Sequence, residues 1–385
     1  MRALLAGARR RLPGLIRLTR RLVEAESPSD SKSAVNACMA IAAAHAKKLG
    51  GKVVKHRGSR YGDLLEVRFL PRKRDQSNLE NGGRNHSRIL LLGHLDTVWP
   101  VGTLQSMPCR ERGGRLCGPG ALDMKAGVAM AFTAIELLIE TNMLCREIVL
   151  LLNSDEEIGS PVSRSVTEAI ARTCGAVFVL EPAQGLAYKT ARKGIGNWRI
   201  DVEGVAAHAG VDFSKGANAI RELARAIETA SGWTDLKRGL TVSVGVCGGG
   251  SKSNVVPAQA WAEVDVRIPR IADGARIARK FAGLRARDPR CKLTLTGEIN
   301  RPPMERSAGT VRLYRKARSL AAELGFVLDE AATGGGSDGN FTAALGIPTL
   351  DGMGAVGEGA HANHESVLID HLAPRTALLA GMLIL

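Results

Sequence analysis

Ile89-Leu90-Leu91-Leu92-Gly93-His94-Leu95-Asp96, Ile148-Val149-Leu150-Leu151-Leu152-Asn153-Ser154-Asp155-Glu156-Glu157 and Ala176-Val177-Phe178-Val179-Leu180-Glu181 share one pattern. Each is a short apolar run that closes on His, Asp or Glu. Continuous apolar runs of this length, set between helical segments, mark strands buried on both faces of a parallel sheet. A fourth segment, Gly118-Pro119-Gly120-Ala121-Leu122-Asp123-Met124-Lys125, opens into a helix predicted over Ala126 to Glu140. Open α/β sheets bind ligands outside the carboxyl ends of their strands. The acidic and imidazole side chains of these segments are therefore predicted to face one crevice.

Outward from this centre, residues 14–49 carry helical periodicity broken at Ser27-Pro28-Ser29, and Gly50-Gly51 caps the second helix. Leu64 to Leu70 alternates as a strand, and Pro71 to Ser87 reads as a polar loop or hairpin excursion. From about Thr190 the pattern changes. Strands are predicted at Gly196 to Val202, Thr241 to Cys247 and Trp261 to Ile268, with helices at Ala217 to Ala230 and Ala272 to Arg287. After Asn300-Arg301-Pro302-Pro303 come a helix over Thr310 to Leu324, a Gly-rich loop at Gly334 to Asn340, a strand at Ile347 to Leu350 and a loop at Gly357 to Glu365. The predicted architecture is a mostly parallel α/β domain in two pieces, residues 1–191 and 303–385, around an α+β insert at 192–302.

Length agrees, since 385 residues exceed the roughly 250–300 that one core usually serves. Apolar residues reach 45% but aromatics only 4%, so the core must be aliphatic. Lys and Arg number 53 against 38 acids, a net charge of +15. That excess fits nucleic-acid binding, attraction of an anionic substrate, or a general basic background. No nucleic-acid-binding motif accompanies it, and nucleic acid is set aside as a partner. No apolar run is long enough to cross a membrane. Arg9 to Arg11 interrupt the N-terminal apolar stretch, so an ordinary first helix is favoured over an Arg-rich targeting segment. The seven cysteines are scattered without a Cys-x-x-Cys pair, as in a reduced, cytoplasmic chain.

Several buried carboxylates in one crevice cannot all stay ionised without cations. A divalent metal resolves this, and a His-plus-carboxylate set without Cys suits a catalytic zinc site. The candidate ligands are His94, Asp123, Glu157, Glu181 and His361. Five ligands serve two metals, roughly 3.5–4 Å apart, if one carboxylate is shared. On an extended segment Glu156 and Glu157 would point in opposite directions. They can do separate work near one site only if the chain turns there, as Gly159 and Ser160 allow.

Gly93-His94-Leu95-Asp96-Thr97-Val98, Gly118 to Gly127, Asp155-Glu156-Glu157-Ile158-Gly159-Ser160, Glu181-Pro182, His208-Ala209-Gly210 and Gly334-Gly335-Gly336-Ser337-Asp338 occur in this order. Together they resemble the motifs of the dinuclear zinc aminoacylase/carboxypeptidase family. That family includes glutamate carboxypeptidases of the folate-cleaving type, acetylornithine deacetylase and succinyl-diaminopimelate desuccinylase, and the glutamate carboxypeptidase branch is the most similar. The resemblance implies two divalent ions, zinc or else cobalt or manganese, with His94 and Glu181 on one, Glu157 and His361 on the other, and Asp123 bridging. It implies Glu156 as general base and Asp96 as the residue that orients His94. Glu365 sets a register that favours His361 over His364 as the last ligand. His208 would come from the insert of a partner subunit and stabilise the oxyanion, the insert serving as dimerisation and lid domain of a homodimer. Asn254, Arg267 and Arg301 would read a substrate carboxylate, although Asp265 is a competing partner for Arg267. Gly334 to Gly336 with Ser337 could present polar groups to the same substrate. The implied reaction is hydrolysis of an amide next to a free carboxylate in a peptidyl or N-acyl amino acid. A small N-acyl amino acid deacylase is the alternative, and a non-catalytic metal-binding or nucleic-acid-binding protein is the rival of another class.

Overall fold

The computed structural model describes residues 1–71 and 88–384. The loop expected over Pro71 to Ser87 lies, from residue 72 on, outside the described residues.

The three apolar runs are adjacent parallel strands. Ile89–His94 lies between Ile148–Asn153 and Ala176–Val179, with Leu91 opposite Leu150 on one side and Phe178 on the other. Thr349–Leu350 extends the sheet, parallel to Ala176–Val179. Antiparallel Leu64–Phe69 and then Lys52–His56 form the opposite edge. Every residue of Ile89–His94 and Ile148–Asn153 is buried, as strands covered on both faces require.

The period of two sorts these side chains between two cores. Leu90, Leu92, Val149, Leu151, Val177 and Val179 join one apolar cluster, with Ala171 and the partly buried Val166 and Ile170 of the helix Ser163–Ala171. Ile89, Leu91, Ile148, Leu150, Leu152 and Phe178 join the larger one. The larger cluster contains α1 (Arg2–Glu24), α2 (Lys32–Lys48), α3 (Ala126–Glu140) and the C-terminal helix Ile369–Leu383. α3 is buried on nearly every side, so it is apolar all round rather than amphipathic. α1 runs through Pro13 and buries Leu4, Ala8, Leu15, Leu18, Leu22 and Val23. Among the described residues no helix is long and apolar enough to cross a membrane. All seven cysteines are unpaired.

The chain divides into two compact units. One comprises Met1–Ala191, Arg306–Ala332 and Ser337–Leu385, and the other Arg192–Glu305 with Thr333–Gly336. The second is built on an antiparallel sheet in the order Thr241–Gly249, Gln259–Ile268, Gly194–Glu203, Lys292–Arg301. Its separate core includes Trp198, Ile200, Val264 and Phe281, with the Trp198 and Phe281 rings stacked at 4.5 Å. The helices Ala219–Ser231 and Ile271–Ala282 belong to this unit. The second of these stops at Ala282, short of the expected Arg287. The strand Lys292–Arg301 was not expected, because Gly297 interrupts its alternation. Gly297 has a φ of 134°, and a Cβ there would lie 2.2 Å from the Asn197 carbonyl oxygen of the neighbouring strand.

One glycine fixes how α3 meets the sheet. A Cβ on Gly127 would lie 2.2 Å from the carbonyl oxygen of Leu180, the residue before Glu181. Gly127→Ala gains helix propensity of up to about 1 kcal/mol, yet forces α3 off the strand end. Overpacking of this kind costs about 1–3 kcal/mol. Urea denaturation is expected to show a net loss of stability; a stabilised variant would mean that α3 has room to move.

Candidate metal centre

Each polar side chain of the crevice is delivered by a strand end or by the turn that follows. His94 is the last residue of its strand and lies opposite Asn153. Glu181 follows Ala176–Val179 by two residues. Asp123 lies in the turn before α3. His361 comes from the loop between Gly357–Glu358 and Ser366–Leu368, with a φ of 63°.

These groups fall into two sets that share Asp123. The Nε2 of His94 is 3.4 Å from Asp123 Oδ1 and 3.6 Å from Glu181 Oε1. The Nε2 of His361 is 3.4 Å from Asp123 Oδ2 and 3.1 Å from Glu157 Oε2. The carboxylate of Asp123 thus turns one oxygen to each imidazole. Donor separations of about 3.3 Å are the edge lengths of a tetrahedron with bonds of about 2.0–2.1 Å. Three of the four are long for hydrogen bonds, the exception being His361 to Glu157. His94 Nε2 and Asp123 Oδ1 are also buried without a hydrogen-bond partner. Two orphaned donor atoms of ligand type, aimed at each other, fit a cation between them. His364 stands apart from both sets and lines a different pocket, with Asn363 and Arg115.

The electrostatics point the same way. The carboxylates of Asp123 and Glu157 push the His361 imidazole up to about 10. Burial works to raise Asp123, but the imidazoles of His361 and His94 outweigh it and hold the carboxyl below its ordinary range. Burial raises Glu157. A proton on His361 occupies the position that a metal ion would take, so the two compete.

His94 is oriented through its other nitrogen. Nδ1 is 3.0 Å from the backbone carbonyl of Asp96 and 3.5 Å from its carboxylate, so the carbonyl is the nearer acceptor. A proton held on Nδ1 leaves the Nε2 lone pair facing Asp123. The buried Asp96 carboxylate accepts from the Ser29 hydroxyl at 2.7 Å and from the Glu157 N–H at 3.1 Å. It therefore ties the His94 segment to the paired glutamates.

Glu156–Ile158 forms a single helical turn directly after the Ile148–Asn153 strand. Asp155 is fully buried and accepts from the N–H groups of Val162 at 2.7 Å and Ser163 at 3.2 Å. Gly159 and Ser160 follow with φ of 92° and 59°. The turn frees both glutamates from strand alternation. Ligand atoms of His94, Asp123 and Glu157 lie within 4.8 Å of one another, and so do those of His94, Glu156 and Glu181.

Two further residues were not assigned roles from the sequence. Glu365 is fully buried and accepts from the N–H groups of Gly120 (2.9 Å), Leu122 (2.8 Å) and Asp123 (3.0 Å) and from Trp99 Nε1 (3.0 Å). It joins the loop that carries His361 to the turn that carries Asp123. Its only sequence signal is its place four residues after His361. Asp338 accepts from Asn153 Nδ2 at 2.6 Å and from the Ser160 hydroxyl at 2.5 Å, bracing both sides of the glutamate turn. Ser337, expected at the substrate, is fully buried, and its hydroxyl donates to Asp351 at 2.6 Å.

The remaining expected residues belong to the second unit. His208 is exposed, and its Nδ1 accepts from the N–H groups of Gly210 (3.1 Å) and Val211 (3.2 Å). Its ring proton is therefore on Nε2, which faces outward as a donor. Exposed Asn254 lies beside it, its carbonyl accepting from the Ala209 N–H at 2.9 Å. Arg267 is held by both oxygens of Asp265, at 2.8 and 2.9 Å. Arg301 is 3% exposed.

Residues 90–384 match the family model described as Peptidase family M20/M25/M40. Carboxypeptidase G2 of Pseudomonas sp. (strain RS-16) is 29% identical over 384 residues, which is 97% of this chain and 89% of that protein. Succinyl-diaminopimelate desuccinylase of Stenotrophomonas maltophilia (strain K279a) is 28% identical, over 74% of this chain and 80% of its own. The crystal structure of aminopeptidase PepT from Bacillus cereus ATCC 10987 superposes with a TM-score of 0.79 at 22% identity, covering 97% of this chain and 98% of that one. An M20 family metallo-carboxypeptidase from Sulfolobus solfataricus superposes at 0.73 and 18% identity, covering 97% and 98%. The match over most of the chain, on a parallel sheet whose strand ends gather His, Asp and Glu, shows that this protein belongs to peptidase family M20/M25/M40.

Proposed function

We propose that this hydrolase cuts an amide bond next to a free carboxylate, using two divalent ions that share Asp123. His94, Glu181 and one Asp123 oxygen would hold the first ion, and Glu157, His361 and the other oxygen the second. The observation that carries the reading is the Asp123 carboxylate with one oxygen at 3.4 Å from each imidazole. The donor set suits zinc and accepts cobalt or manganese. When bound, such ions acidify water and polarise a carbonyl oxygen.

The chain's own residues divide the remaining work. Glu156 takes the proton of the attacking water and delivers it to the leaving amine nitrogen. Asp96 keeps His94 in the tautomer that ligates and fixes the backbone of Glu157. His208, donating from Nε2, stabilises the oxygen of the tetrahedral state. As in the resemblance, it comes from a second copy of the chain, which makes the working form a homodimer. Arg301 and Asn254 bind the substrate carboxylate, and Arg267 joins them by exchanging Asp265 for it. Ser337 contributes by holding Asp351.

The relative named a carboxypeptidase spans nearly the whole chain and supports a peptidyl substrate, and the resemblance of the motifs would put glutamate at its C-terminus. The relative named a desuccinylase supports a second reading, a small N-acyl amino acid. A hydrolysis screen over dipeptides and N-acyl amino acids, read as released amine, separates the two. Turnover is expected to need a free substrate carboxylate, to vanish with chelator, and to fall about 10²–10⁴-fold in Glu156→Gln at unchanged metal content. Loss of metal in that variant would make Glu156 a ligand rather than the base.

Glu365→Gln replaces a fourfold acceptor by a group that must turn N–H toward N–H. Losing such a buried acceptor costs about 1–3 kcal/mol. Metal retained after dialysis is expected to drop, and activity to recover with added metal. Unchanged retention would show that Glu365 does not set the position of Asp123.

A further inference from the structure

α1 carries seven arginines and a single acid, Glu24. Two of these pair with a neighbouring carboxylate. Arg20 donates to Glu111 at 2.9 Å, and Arg11 pairs with Glu136 at 3.7 Å and with Glu140. Arg10, Arg17 and Arg21 have no acidic partner among the described residues. At about 100° per residue, spacings of seven and four residues put these three within about 20° of one line along the helix.

That line is one wall of a groove of about 450 Å³, which Arg11 also lines. His45 of α2, with Thr133 and Glu136 of α3, lines the other side. Gly14 lies between Arg10 and Arg17, and the Arg17 guanidinium lies over it, 3.8 Å from where a Cβ would stand. A side chain at Gly14 would enter the groove beside the Arg17 guanidinium, while the Arg10 guanidinium lies farther back, 3.8 Å from where a Cβ on Gly7 would stand. The acid in the lining, Glu136, is already engaged by Arg11, so the guanidinium groups of Arg10, Arg17 and Arg21 remain uncompensated. Burial and the neighbouring cations Lys48 and Arg21 hold the His45 imidazole below its ordinary range, a sign of positive potential on that wall. None of these residues belongs to the candidate metal centre.

We propose that this groove is a binding site for a small oligophosphate anion, either free or as the polyphosphate of a nucleotide. Guanidinium groups bind phosphate oxygens in pairs, and three spaced along one groove favour several linked phosphates over one. The concavity favours a compact ligand over a flat lipid surface or a rigid duplex.

The test is calorimetric titration of the full chain with sodium tripolyphosphate, ATP and AMP at low ionic strength. Saturable one-to-one binding is expected for tripolyphosphate and ATP, with AMP at least about tenfold weaker. The triple variant Arg10→Ala/Arg17→Ala/Arg21→Ala should lose at least about tenfold in affinity. Arg57→Ala/Arg315→Ala/Lys316→Ala, which removes the same charge from exposed positions elsewhere, should bind as the parent does. Gly14→Leu should weaken binding without altering charge, and its gain in helix propensity keeps the fold intact. Equal losses in the two triple variants would overturn the proposal in favour of diffuse surface charge. So would absence of saturable binding, or groove-dependent binding of phosphatidylglycerol vesicles when tripolyphosphate does not bind.

Discussion

Asp123, Glu156, Glu157 and Glu181 converge with His94 and His361 on one crevice, and they cannot share it without a positive counter-charge. Buried carboxylates this close must protonate, pair with cations or push the chain apart. In the structure only the imidazoles answer them: the carboxylates of Asp123 and Glu157 raise His361 to about 10, and His94 Nε2 is buried without a hydrogen-bond partner. A divalent cation relieves both conditions at once. Much of what surrounds the crevice acts to keep the two halves of the donor set in register around Asp123.

That register is held mostly by groups that never face the crevice. Glu365 draws three N–H groups of the Asp123 turn toward the loop of His361. Asp338 grips Asn153 and Ser160 on either side of the glutamate turn. Gly127 lets α3 meet the carbonyl of Leu180. Each is a short-range device, a carboxylate collecting donors or a missing side chain, placed just behind a residue of the donor set. The sheet supplies the direction of the strand ends, and these clamps supply the fine spacing.

This division of labour explains what could be read from the amino-acid sequence. The strands Ile89–His94, Ile148–Asn153 and Ala176–Val179 are legible because burial on both faces demands unbroken apolar runs. Helix α3 is legible because it starts where the Gly-rich turn ends. The turn at Glu156 follows from the need to separate two adjacent carboxylates, with Gly159 and Ser160 to permit it. Lys292–Arg301 escaped because a glycine breaks its alternation. Glu365 escaped because its partners are mostly backbone N–H groups, which every residue carries and no side chain announces. The same blindness hid the acceptor for His94, the carbonyl of Asp96 rather than its carboxylate, whereas the engagement of Arg267 by Asp265, a pairing of side chains, could be anticipated. The net charge of +15 gains a location: part of it is a line of guanidinium groups on α1.

The shared role of Asp123 is most directly tested by anomalous diffraction from crystals grown with zinc, recorded at the zinc absorption edge. Two anomalous peaks are expected, one between His94 and Glu181 and one between Glu157 and His361, each within bonding distance of a different Asp123 oxygen. A single peak, or two peaks of which only one contacts Asp123, would contradict the bridged centre.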